Sequence, residues 1–205
     1  MQTVTVSGVV RTEMGKKATK AVRKEGMIPC VLYGMNEANH FAVKPNDVKK
    51  LVYTPDFKLA DVNIDGASTK CFIKDIQFHP VTDEIVHIDF LKLIDGHPIK
   101  LDVPIRFVGT SAGVKTGGKL QPNLRKVKLK TTPDKIMDKV EVDISHLNLG
   151  DSVRVKDIPE MEGVEIMTPA GTPLASVIVP RALRSATDAA AKEETGGEEE
   201  EATEE

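Results

Sequence analysis

The chain has 205 residues, a formal net charge of −3, 40% aliphatic, aromatic and sulfur side chains, only 4% aromatics and no Trp. This length holds one large domain or two small ones, with a core drawn mostly from Val, Ile and Leu. No apolar run approaches the roughly 18 residues of a membrane span, the alternating TVTVSGVV start does not read as a secretory signal, and two cysteines without a CxxC are too few for a disulfide scaffold, which points to a reducing cytoplasm.

In chain order, Thr3 to Val10 alternates as a strand. Lys16 to Glu25 is free of Pro and Gly and stops at Gly26, as a helix does. Ile28 to Tyr33 is a short apolar strand ending at Gly34, and Asn46 to Val52 is a short helix with Pro45 at its start. Leu59 to Ile64 meets Asp65-Gly66, a hairpin signal, and leads to a strand from Thr69 to His79. Residues 80–84 turn, and Ile85 to Leu93 forms another strand.

Asp95-Gly96 marks the expected domain boundary. Beyond it Ile99 to Val108 is extended, with Pro104 arguing for an edge strand or a bulge. Residues 109–119 read as a Gly-rich loop. Strands follow where Val127, Leu129 and Thr131 alternate with Lys126, Lys128 and Lys130, and where Val140, Val142 and Ile144 alternate with Glu141 and Asp143. Val153 and Val155, Val164 and Ile166, and Val177 to Val179 supply three more. From Ser185 the segment holds nine acids against Lys192, a charge of −8, and too little apolar surface to offset its ordering entropy. The expected fold is therefore mainly β: residues 1–94, a β domain with short helices; residues 95–184, a second β-rich domain; and residues 185–205, a disordered acidic tail.

The net charge conceals a segregation. Residues 1–24 hold six basic residues against Glu13, for +5, and a basic end opposite an acidic tail suits a polyanion partner. At 100° per residue Lys16, Lys20 and Arg23 fall within about 60° of one another, flanked by Lys17 and Lys24 and preceded by Arg11, while Ala18, Ala21 and Val22 point away toward the sheet. Such a row of cations suits a phosphate backbone; it equally fits a solvated helix face.

A second constellation is a polar strand face. Gln77 and His79 share one face of their strand, His87 and Asp89 one face of the next, with Ile76, Phe78, Ile88 and Phe90 opposite. Antiparallel pairing with His79 across from His87 sets Gln77 against Asp89. That mix of donors and acceptors reads base edges or ribose hydroxyls in the wide, shallow minor groove of an RNA helix. Alternatives stay open: ordinary surface polarity, a metal-dependent hydrolase using His79, His87 and Asp89, or a stress-related protein-binding module carried by the second domain and tail.

Other motifs carry no chemistry. Gly113 to Lys119 begins like a P-loop, but Leu120 replaces the magnesium-holding hydroxyl and Pro122 follows, which argues against nucleotide binding. Cys30 and Cys71 read as core. Tyr33, beside Gly34, is either core or a ring offered to a ribose or base. No cofactor, membrane or small-molecule substrate is expected.

GKKATKAVRKEGMIPCVLYG, then DIQFHP and HIDF, resemble the bacterial large-subunit ribosomal proteins that bind 5S ribosomal RNA, the L-twenty-five or general stress protein Ctc family. GVKTGGKLQ and KVEVDISHLNLGDSVRVKDI resemble the second domain of its long form, so the likeness spans about residues 2–182. The resemblance implies an N-terminal β-barrel gripping a distorted stretch of 5S RNA through its minor groove, a place among other large-subunit components, and a structural role without catalysis. Carried over, the contact residues are Arg11, Lys16, Lys20, Arg23, Tyr33, Gln77, His79, His87 and Asp89. Lys20 stands where the family commonly has Arg, which weakens a bidentate contact there, and Cys30 stands for a usual Ala.

Overall fold

The computed structural model describes residues 2–34, 37–159 and 161–180. The acidic segment read as a disordered tail lies outside them. The elements are β1 (Thr3–Val10), α1 (Lys16–Lys24), β2 (Ile28–Gly34), β3 (Glu37–Val43), α2 (Pro45–Val52), β4 (Leu59–Ile64), β5 (Ala67–Phe78) and β6 (Ile85–Lys92). They continue with β7 (Ile99–Val108), α3 (Ala112–Lys115), β8 (Lys119–Pro122), β9 (Lys126–Thr131), β10 (Val140–Asp143), β11 (Ser152–Arg154), β12 (Val164–Ile166) and β13 (Pro173–Ile178), with single 3₁₀ turns at Pro133–Lys135 and Val155–Asp157.

The first six strands close a barrel in the order β1-β3-β2-β6-β5-β4. Closure removes every free sheet edge, and it needs two parallel pairings, β1 with β4 and β2 with β6. Strand alternation then sends one side chain in two inward. Val6, Cys30, Leu32, Phe41, Val62, Cys71, Ile88 and Phe90 fill the interior, and Val48 and Leu51 of α2 join the same cluster. Pro45 at the start of α2 spends no needed N–H there. The Asp65-Gly66 turn joins β4 to β5 with positive φ at both residues, 50° and 86°, as a two-residue hairpin of this hand requires.

Strand β3 is absent from the reading of the sequence. Its run Glu37-Ala-Asn-His-Phe-Ala-Val43 looks loop-like because three of its first four residues are polar. Pairing with both β2 and β1 makes it a strand nonetheless, and it places fully buried Phe41 against the Phe90 ring, centroids 5.8 Å apart. β8 was likewise hidden, inside and just beyond the Gly-rich segment.

The later strands form a four-stranded sheet in the order β10-β7-β9-β12 and a three-stranded sheet, β11-β13-β8. β7 has a neighbour on each side, so Pro104 does not mark an edge strand. By contacts the chain divides into two compact units. Among the described residues, one comprises those up to Pro104 together with Lys128–Val140 and Met161–Met167; the other comprises Ile105–Val127, residues 141–159 and residues 168–180. The P-loop-like segment lies in the second unit and is one helical turn, capped by the Ser111 hydroxyl accepting the Val114 N–H at 3.0 Å. A Cβ at Gly113 would lie 2.5 Å from the Asn148 carbonyl carbon, so this glycine exists for close packing against another backbone and not to cradle phosphate.

Both cysteines are fully buried. Burial drives the Cys30 thiol far above the usual range and pushes Cys71 up to about 12. Neither is a nucleophile. Alkylation by iodoacetamide should therefore wait for unfolding and report on barrel opening. Unfolded thiols ionise above about pH 8.5 and folded ones do not, so this contribution to stability is complete below that pH and is lost as pH rises toward the folded values. Rapid labelling of the native protein at pH 8 would contradict this packing.

Candidate nucleic-acid interface

The basic helix α1 is short and poorly stabilised by its own sequence. Its N-cap is Gly15, no side chain caps its first turn, and that turn carries Lys16 and Lys17 with no acid. Cations there oppose the helix dipole. The other end is well made: Met27 N–H donates to Val22 O and Gly26 N–H to Arg23 O, both at 3.1 Å, with Gly26 at φ 75°. This is a Schellman stop. Tertiary contact supplies the rest. Ala18, Thr19 and Val22 are half-buried, whereas Ala21, expected to face the sheet, is exposed and Thr19 takes its place.

Two arginines tie the helix down. Arg11, at the end of β1, donates through Nη2 to the Thr19 hydroxyl at 3.3 Å and the Glu13 carbonyl at 3.4 Å. Arg23 donates through Nε and Nη2 to the carbonyl of Val86, both at 3.1 Å. That carbonyl is available because β6 carries a bulge. Gln77 pairs with His87 and Phe78 with Ile85, leaving Val86 as the extra residue. The bulge thus locks the cationic helix to the strand bearing the polar face. Lys16, Lys17, Lys20 and Lys24 remain exposed.

The polar face exists, with a corrected register. Gln77 lies opposite His87, and Asp89 lies opposite Asp75 rather than Gln77. The offset from the expected pairing is two residues. A two-residue slip keeps each side chain on its face, so Gln77, His87 and Asp89 stay together while partners change. His79 is displaced beyond the end of β5. Its N–H donates to Glu84 O at 2.8 Å, its carbonyl accepts the Asp83 N–H at 3.0 Å, and its Nδ1 accepts the N–H groups of Val81 and Thr82 at 3.4 and 3.3 Å. His79 organises the β5–β6 turn and is not across from His87. Phe78, expected inside, is 44% exposed for the same reason.

His87 Nδ1 lies 2.6 Å from Asp89 Oδ1, both side chains partly exposed. An Nδ1–H donated to the carboxylate fixes the ring and leaves Nε2 for an outside partner. Parallel pairing sets Asp89 beside Val31 of β2, and Tyr33 follows two residues on, on the same face. Burial, then the Asp89 and Asp75 carboxylates, push the Tyr33 hydroxyl above its usual range, so it stays a protonated donor. His40 of β3, opposite Val31, and Asp75 belong to this face too. Neither was singled out from sequence: His40 sat on the unrecognised strand, and Asp75 entered through a second bulge, between Ile73 and Asp75.

The arrangement has an acidic cost. Asp75 and Asp89 face each other across antiparallel strands, where like charges destabilise. Carboxylates only accept hydrogen bonds, and the donor beside Asp89 is the His87 imidazole. Catalysis has no such support. Among the described residues no group of three or more His, Cys, Asp or Glu is placed to hold a metal ion, and His79 is committed to its turn.

The Ribosomal L25p family matches residues 6–90, and the C-terminal domain of Ribosomal protein TL5 matches residues 98–181. The large ribosomal subunit protein bL25 of Phocaeicola vulgatus is 40% identical over 199 residues, covering 94% of this chain and 100% of that protein. The chain belongs to the bL25 family. That of Porphyromonas gingivalis is 42% identical over 188 residues, 91% of this chain and 97% of the relative, and that of Amoebophilus asiaticus is 40% identical over 185 residues, 90% and 94%. A bL25 chain is a structural protein and not an enzyme, which leaves the hydrolase reading without support. The two family segments meet between residues 90 and 98.

Proposed function

We propose that this protein is a constituent of the large ribosomal subunit, in the cytoplasm, and that it binds 5S rRNA through α1 and the outer face of β2, β5 and β6. The likeness to bL25 proteins supports the ribosomal role. The observation carrying the finer reading is the Arg23–Val86 bond, which joins cations and polar side chains into one rigid surface. Phosphate contacts by the α1 lysines position the RNA; the strand face reads it. Asp89 and Asp75 accept from donors in the minor groove, the guanine amino group and the 2′-hydroxyl. His87 Nε2 and the Tyr33 hydroxyl address the same edge. The binding unit is residues 1–94, in which the closed barrel is complete.

The test is a footprint of the whole chain and of fragment 1–94 on 5S rRNA, with a salt titration. Both should protect the same irregular helix. Neutralisation of one phosphate by each of Lys16, Lys17, Lys20 and Lys24 gives a log–log salt slope of about −3 to −4. A flat titration, or protection only by the whole chain while the fragment is folded, would remove the phosphate-led mechanism or the domain assignment respectively.

A further inference from the structure

At one end of the barrel, beside the basic helix, lies a cleft of about 320 Å³. That is the small end of the range for ligand clefts, roughly 300–1,000 Å³. Its floor is apolar, built by Met27 and Ile28 at the start of β2 and Ile85 at the start of β6. Above the floor stands Tyr53, which terminates α2 and is 61% exposed. An aromatic ring this open contributes little to the core, and among the described residues it makes no ring stack of its own.

The rim is mostly donors. Arg23 lines the cleft and, with Nε and Nη2 occupied by Val86 O, still has Nη1 to offer. Lys49, one turn before Tyr53 on α2, is exposed at the rim. The imidazole of His79, whose Nδ1 accepts backbone N–H groups, presents Nε2–H. Glu84 is the carboxylate on this rim, and it already accepts from the Thr82 hydroxyl. An apolar slot with one free aromatic face and three cationic or donor groups suits a flat ring carrying an anionic substituent. The cleft shares Arg23 with the proposed RNA surface, so the two are continuous.

We propose that this cleft receives one unstacked nucleotide of the bound RNA, its base against Tyr53 and the apolar floor and its phosphate on Lys49 and Arg23. This rests on the 5S rRNA reading above and extends it: the protein holds one base out of the helix as well as gripping the groove. Single bases are commonly held by stacking on an aromatic side chain. A protein side chain entering the slot is the competing occupant, disfavoured by a rim richer in cations than an apolar anchor requires.

The chain has two tyrosines and no Trp, so the difference in emission between the full-length wild type and Tyr53→Phe reports on Tyr53 alone. On titration with 5S rRNA that difference should fall by more than half after correction for RNA absorbance. In the wild-type background, Tyr53→Ala should weaken binding on the order of tenfold with an unchanged melting temperature, Tyr53→Phe should bind normally, and Lys49→Ala should reduce the salt slope by about one. Unchanged emission together with full-affinity binding by Tyr53→Ala overturns the proposal and leaves the 5S rRNA reading standing. Normal RNA affinity with loss of Tyr53→Ala from assembled subunits overturns it in favour of a protein neighbour. Failure of the wild-type chain to bind 5S rRNA defeats both, and shows before any variant is made.

Discussion

Asp89→Ala is expected to weaken 5S rRNA binding by about 1–3 kcal/mol, roughly five- to 150-fold. Its carboxylate holds His87 at 2.6 Å, and in the proposed complex it also accepts from the RNA. His87→Ala should cost a similar amount, and the double variant should cost less than the sum, because residues in direct contact couple. Asp89→Asn separates the roles. The amide still offers a carbonyl oxygen to His87 but carries no charge, so it should retain part of the affinity. It should also relieve the opposition between Asp75 and Asp89 and slightly raise the stability of the free protein. Filter-binding titrations at fixed salt and thermal melts of the same variants read both effects. Affinity unaffected by Asp89→Ala would take this residue out of the interface, and strict additivity would mean that His87 and Asp89 act separately.

Phe90→Ala is expected to be the most damaging change to the fold, at about 3–5 kcal/mol. The ring, on β6, is fully buried in the barrel interior and packs against Phe41. The whole stability of such a protein is of order 5–15 kcal/mol, so much of it goes at once. Truncation removes transfer energy and opens a cavity that a closed barrel cannot readily collapse, since its strands are held by neighbours on both sides. Denaturant titration should show a large fall in midpoint, and iodoacetamide labelling of Cys30 and Cys71 should accelerate in step. Phe90→Leu, which keeps most of the volume, should lose far less. A midpoint little changed by Phe90→Ala would mean that the barrel interior relaxes around the gap.

The barrel elements that declare themselves by local pattern are those where side-chain chemistry and backbone geometry agree. The alternation from Thr3 to Val10, the Asp65-Gly66 turn, and the lysine row ended by Gly26 are of this kind. Each is a short-range property, set by neighbours two to four residues away. β3 is the counterexample. Its polar opening carries no strand signal, and only pairing on both sides with β1 and β2 commits it.

The same division runs through the polar strand face. A period of two is enough to put Gln77, His87 and Asp89 on one side of their strands, so that part of the face follows from the order of residues alone, whereas His40 and Asp75 join it only through strand pairing and a bulge. Which groups meet is a matter of register, and register depends on bulges and on how the intervening turn closes. The bulge at Val86 releases the carbonyl that anchors Arg23, the one between Ile73 and Asp75 brings two aspartates together, and the turn around His79 carries that imidazole away from His87. A bulge costs a ladder bond locally and is stabilised by groups distant in the chain. Arg23 reaches Val86 across 63 positions, so no window of sequence contains the reason for it. Residue order alone determined that this protein is a β-rich chain with a cationic helix and a mixed polar strand face. Only the tertiary structure decided how they join, because the bond that unites them links residues 63 positions apart through a bulge that strand pairing creates.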